Sequence, residues 1–166
     1  MTAMRVGERF SAGHLLHLFT HCLKIEKTME PDRTTHVGTE QVRLALSIRQ
    51  PHVEAILRGI KTFEYRNFPT RIRERIYIYA GRMRYAPAEE RRWMAEYGFD
   101  LDPSFRMDLL DSGLLVATVR ITTCVPGGRY GAAWAWKLED LEKLDSPQRP
   151  TGRPQPVFFN PFPTDS

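Results

Sequence analysis

From residue 42 onward the apolar positions of this 166-residue chain fall into regular periods. Val42, Leu44, Leu46 and Ile48 alternate with polar residues, the pattern of a half-buried strand. Pro51 suits the first position of a helix, and Val53, Ile56 and Leu57 form its apolar stripe up to Gly59. Residues 62–67 predict a strand rich in Thr62, Phe63 and Tyr65. Residues 74–80 predict another, with Ile76, Ile78 and Ala80 on one face and Tyr77 and Tyr79 on the other. Pro87 to Tyr97 reads as a second helix, with Glu89 and Glu90 placed favourably near its N-terminus and Gly98 closing it. Residues 99–111 read as a partly helical insertion.

Leu114 to Cys124 is the clearest core strand, stopped by Pro126-Gly127-Gly128. Residues 134–144 predict a further strand, its aromatic start giving way to Lys137, Glu139 and Asp140. Residues 146–156 carry four prolines and a glycine and predict an extended loop, followed by a short closing strand at 157–159. These elements predict an α+β fold: a mixed β-barrel of five or six strands with two or three packed helices. The expected domain spans residues 42–160, preceded by an N-terminal extension, 1–41, and followed by a short tail, 161–166.

The extension reads as weakly structured or as a single helix, and Met29 suggests that the residues before it are a start-site extension. His14, His17, His21 and Cys22 share helical spacing and invite a zinc reading. Such clusters in weakly structured tails mostly bind nothing specific, so no metal is assigned, and no cofactor is called for. The apolar stretch 15–23 is too short to span a bilayer and lacks a small-residue cleavage site, so no membrane role is expected. Cys22 and Cys124 make no disulfide framework, which points to a reduced, cytoplasmic setting.

Charge changes the picture. The formal net charge is +4, and residues 1–41 are balanced with five basic and five acidic side chains. Between Arg58 and Arg92, ten basic residues face only Glu64, Glu74, Glu89 and Glu90. That surplus suits a polyanion or a phosphate-bearing ligand, although an arginine-rich composition also gives an ordinary solvated face. Lys61 is the only lysine between Lys27 and Lys137. Its compact, titratable ammonium does what a guanidinium does not.

Lys61 belongs to the run Gly59-Ile-Lys-Thr-Phe-Glu-Tyr-Arg66. Alternation along a strand points Glu64 and Arg66 the same way, while turn geometry decides the direction of Lys61. Three stretches carry a resemblance: "LALSIRQPHVEAILRGIKTFEYRN", "RIYIYAG" with "GLLVATVRI", and "AWKLEDLEKLDSP". Together they resemble the ASCH domain of the PUA-like superfamily of RNA-associated β-barrels, over about residues 42–159. The G-x-K-x-x-E-x-R signature matches at Gly59, Lys61, Glu64 and Arg66.

The resemblance implies a PUA-like barrel with a cleft beside the first helix, suited to single-stranded RNA or a nucleotide-like small molecule. It implies three classes of function: RNA-binding module, ribonuclease, or amidohydrolase of N4-acetylcytidine; the domain's sequence offers no metal-ligand cluster, so a ribonuclease here is expected to be metal-independent. The amidohydrolase expects a threonine nucleophile three residues after the lysine, where this chain has Glu64. A ribonuclease needs a base and a cation, roles open to Glu64 and to Lys61 or Arg66. Binding alone needs Lys61 and Arg66 on phosphate or base edges, Glu64 accepting from a base, and a ring for stacking from Tyr79, Tyr85, Trp134 or Trp136. A protein-interaction module using the arginine face is a further, non-ligand class, beside binding and hydrolysis.

The candidate ligand-binding residues are Ser47, Gln50, Pro51, Gly59, Lys61, Glu64, Arg66, Tyr79 and Arg82, with Lys61 and Glu64 catalytic if the protein is an enzyme. Plainer readings stand beside these. Glu64 and Arg66 can form a surface ion pair, and Gln50 can cap the first helix. His52 reads as a surface residue, Trp134 and Trp136 as packing, and Cys124 as a small buried hydrophobe.

Overall fold

A computed structural model describes residues 41–164. The histidine cluster, the N-terminal helix and the start-site reading at Met29 lie outside the described residues. Six strands form a mixed sheet in the order β2-β5-β4-β3-β1-β6: β1 (Ala45–Arg49), β2 (Phe63–Arg66), β3 (Arg75–Gly81), β4 (Leu114–Pro126), β5 (Trp134–Gln148) and β6 (Phe158–Phe159). The sheet curls into a half-barrel, and two helices, α1 (His52–Leu57) and α2 (Pro87–Glu96), complete the α+β, PUA-like fold.

Alternation places the core. Leu46 and Ile48 of β1, Ile76 and Ile78 of β3, Val119 and Ile121 of β4, and Trp136 of β5 bury together with Val53 and Ile56 of α1. Fully burying each aliphatic side chain stabilises by roughly 1.5–3 kcal/mol relative to exposure. The intervening residues of β1 and β3 face the other way. Tyr79 joins Ala45, Leu115 and Phe159 in a second cluster, while Ser47 and Arg49 remain partly open. β1 is therefore an inner strand, parallel to β3 with Ser47 opposite Tyr79, and antiparallel to β6.

Three sequence expectations shift. Pro51 precedes α1 rather than opening it, and the Gln50–Pro51 peptide is cis. The insertion after α2 resolves into two 3-10 turns, Phe99–Leu101 and Met107–Leu109. The predicted strand 134–144 runs on to Gln148, through Pro147. β2 pairs β5 only at 134–137, so Pro147 lies where β5 has a neighbour on one side, and a missing N–H is tolerated there. Register shifts along β4 and β5, with Asp140 at φ 52°, mark bulges that bend this hairpin.

The chain after β5 is not a free loop. Thr151 and Gly152 both donate backbone N–H groups to the Pro161 carbonyl, at 2.9 and 3.0 Å, and the Ser47 N–H donates to the Val157 carbonyl at 2.8 Å. Pro161 is fully buried, and Phe162 packs its ring edge-on against Tyr77.

Candidate functional site

The signature is built by one turn and one short strand. Gly59, at φ +73°, ends α1 in the left-handed conformation that lets the chain reverse. The Lys61 N–H then donates to the Ala55 carbonyl at 3.0 Å, which fixes where the lysine leaves the backbone. Two residues later β2 begins, and Glu64 and Arg66 project from the same face. Glu64 is 6 % exposed and Lys61 8 %. Lys61 Nζ lies 2.5 Å from Glu64 Oε2 and also donates to the Phe63 carbonyl, while Arg66 Nη2 lies 3.1 Å from Glu64 Oε1. The expected surface ion pair is part of a triad in which Lys61 and Glu64 are buried and Arg66 is half-buried. Burial pushes the Glu64 carboxyl up, but the Lys61 and Arg66 charges outweigh that and hold it below the ordinary carboxylate range.

This triad forms the floor of a cleft of about 1000 Å³. One wall is aromatic. His52 meets Trp93 edge-on at 4.5 Å, and Trp93 meets Tyr130 edge-on at 4.8 Å. His52 Nδ1 lies 2.7 Å from the Tyr97 hydroxyl, and Nε2 lies 3.0 Å from that of Tyr85. Burial, reinforced by the Lys61 charge, lowers the His52 pKa to about 4. The ring is therefore neutral at pH 7, donating to one tyrosine and accepting from the other. Burial also raises both tyrosines, so their hydroxyls stay protonated. The segment 149–157 also lines the cleft and forms another wall. Seven cations line the cleft (Arg49, Lys61, Arg66, Arg82, Arg129, Arg149 and Arg153) against one carboxylate, Glu64.

Of the residues singled out from sequence, Ser47, Lys61, Glu64, Arg66, Tyr79 and Arg82 line this cleft. Gln50, Pro51 and Gly59 do not. Gln50 is buried, accepts the Glu54 N–H at 3.1 Å and donates to the Asp111 carbonyl at 3.1 Å, so it holds the start of α1 against the insertion. Pro51 is fully buried beneath the same turn. Trp136 is a core residue stacked on Phe158, and Trp134 packs against that core, so neither ring lines the cleft, whereas Tyr85 does.

Two plain readings are corrected. His52 is not a surface residue, because α2 folds Trp93 over it. Cys124 is only half-buried, and its Sγ accepts the Thr70 N–H at 3.4 Å. Sequence reasoning overlooked Trp93, Tyr97, Tyr130 and the 149–157 wall. The i, i+4 spacing of Trp93 and Tyr97 on α2 was an available signal, as was an aromatic inside the Gly-rich run 127–131.

A family model described as the ASCH domain matches residues 46–147, well over half of the chain. The chain belongs to the ASCH domain family. The family has a PUA-like fold and is generally linked to RNA binding. In this ASCH domain the matched segment holds the whole triad and the aromatic wall, while the 149–157 wall and β6 lie beyond it. Comparison with curated proteins returns no relative of the chain. Among the described residues, no group of three or more His, Cys, Asp or Glu side chains is arranged to hold a metal ion. No helix among them is long and apolar enough to cross a membrane.

Proposed function

We propose that this ASCH domain binds single-stranded RNA or a nucleotide-like ligand by receiving a base in the cleft over Lys61, Glu64 and Arg66. The observation that carries the reading is the convergence of those three side chains on the floor of a concave site walled by aromatic rings. Rings supply stacking faces worth about 1–3 kcal/mol per base, and the surplus of cations attracts phosphate. Glu64, held ionised, accepts from base N–H groups, while Lys61 and Arg66 offer donors to base carbonyls. The domain is taken as residues 42–160, with 1–41 as an extension and 161–166 as a tail.

Ribonuclease or amidohydrolase chemistry is supported less. A carboxylate held below its ordinary range is a weak general base, and the His52 nitrogens are both engaged by tyrosines. Thr62, the hydroxyl nearest Lys61 in sequence, does not line the cleft. An interaction module built on the arginine face has no observation in its favour that the cleft does not explain better.

The test is binding of a labelled single-stranded RNA at low salt to the wild type, Lys61→Ala and Arg71→Ala, with product analysis for cleavage and for deacetylation of N4-acetylcytidine. Lys61→Ala is expected to weaken binding about tenfold or more, the value of one good base contact. Arg71, exposed on the chain before β3, is expected to matter less than threefold. Equal losses would mean diffuse charge attraction with no site, and turnover lost in Lys61→Ala would establish an enzyme.

A further inference from the structure

The cations of the cleft differ in what they already do. Lys61 and Arg66 already pair with Glu64, and their remaining N–H groups are assigned to the base. Arg49 lies over the Tyr85 ring at 5.1 Å, and Arg129 lies over Tyr130 at 5.0 Å with Glu96 at 3.7 Å. Arg82, just after β3, and Arg149 and Arg153 are exposed and make no hydrogen bond, ion pair or ring contact among the described residues, and of these three Arg149 and Arg153 share one segment. Arg149 and Arg153 sit on the 149–157 wall of the cleft that the rings also line.

That wall is rigid before any ligand arrives. Pro150, Pro154 and Pro156 each fix φ near −65°. The two N–H bonds to the Pro161 carbonyl and the Ser47 bond to Val157 pin the segment at both ends. Gly152 lies so close beneath that an added Cβ would stand 2.1 Å from the Asn160 carbonyl oxygen. Two uncommitted guanidiniums four residues apart on a preorganised backbone, in the same cleft as the rings, suit a group carrying several anionic oxygens.

We propose that residues 149–157 form a preformed phosphate clamp, in which Arg149 and Arg153 hold the phosphate of a ligand whose base lies toward the rings. The site then takes a phosphorylated ligand, a mononucleotide or a strand, in preference to the free nucleoside. This rests on the base-binding reading above, and adds which end of the ligand goes where.

Calorimetric titration of the full chain with the four ribonucleosides, their 5′- and 3′-monophosphates and a mixed-sequence RNA hexamer tests it. For the best base, a monophosphate is expected to bind at least about tenfold more tightly than its nucleoside at 50 mM salt, with the advantage shrinking at 200 mM. In Arg149→Ala/Arg153→Ala the monophosphate is expected to fall within threefold of the nucleoside. Gly152→Ala, which displaces the wall while keeping both arginines, is expected to cut the advantage as well, with thermal unfolding reporting that each variant is folded. A hexamer far tighter than any monophosphate identifies a strand as the source of the phosphate, and near-equal affinities identify a free nucleotide. Equal binding of nucleoside and monophosphate, both lost in Lys61→Ala, overturns the clamp and leaves the base site standing. A tenfold preference that survives the double substitution likewise overturns it. No binding of any of these probes overturns both readings.

Discussion

Arg66 Nη2 donates to the Ser47 backbone carbonyl at 2.8 Å, joining β2 to β1, two strands that the sheet order separates by β5, β4 and β3. A side chain at one end of the sheet can reach a strand near the other only because the sheet curls round on itself. The same guanidinium holds Glu64 and lies 6.0 Å over the ring of Trp136. Arg66 thus ties the seam of the half-barrel to the floor of the cleft.

Arg66→Met keeps the length of the side chain but removes the seam bond and one of the two cations facing Glu64. It is expected to cost roughly 2–4 kcal/mol of unfolding free energy, the range for breaking a buried, hydrogen-bonded charge cluster. Urea denaturation at pH 7 measures it. A loss below about 0.5 kcal/mol would show that the seam bond holds nothing together.

Glu64→Gln leaves Lys61 and Arg66 facing each other across a neutral amide in a buried site. Stability is expected to fall by roughly 3 kcal/mol at pH 7. Because the folded-state pKa of Glu64 lies below its ordinary value of 4.5, the carboxylate's contribution is present above that pH and disappears as pH falls through the folded value. The gap between Glu64→Gln and the wild type should therefore close in acid. A gap that persists unchanged at pH 2–3 would contradict the assignment.

His52 titrates near 4 when folded and near 6.5 when unfolded. Between those values the unfolded chain binds more protons, so stability rises with pH over that window and levels off above it. The total is on the order of 3 kcal/mol. Urea unfolding from pH 4 to pH 7.5 should show this slope in the wild type and lose most of it in His52→Gln. An identical slope in both would place the titrating group elsewhere.

Tyr130 holds φ +59° in the turn between β4 and β5, a conformation that costs a non-glycine residue about 1–3 kcal/mol. Its ring caps Trp93 and its hydroxyl donates to the Glu96 carboxylate, yet the residue is 45 % exposed. Tyr130→Gly removes the strain along with these contacts, so stability is expected to change by less than about 1 kcal/mol. RNA affinity is expected to fall by about tenfold as a stacking face disappears. A large loss of stability with unchanged affinity would make the ring a packing element only.

The strands, both helices and the Lys61-Glu64-Arg66 run were legible in the sequence because periodicity, turn residues and strand alternation are local properties of the backbone. Alternation alone aimed Glu64 and Arg66 to one side, and a glycine at 59 announced the turn that delivers Lys61. What surrounds those three residues was not local. His52 reads as a surface residue until α2, more than thirty residues on, lays Trp93 against it and two tyrosines take its nitrogens. The proline-rich segment reads as a loop until Pro161 and Ser47 pin it into a wall. A sequence specifies which way a side chain leaves its own strand. Only the curling of the sheet, driven by burial of one continuous apolar face, decides which distant side chains it meets.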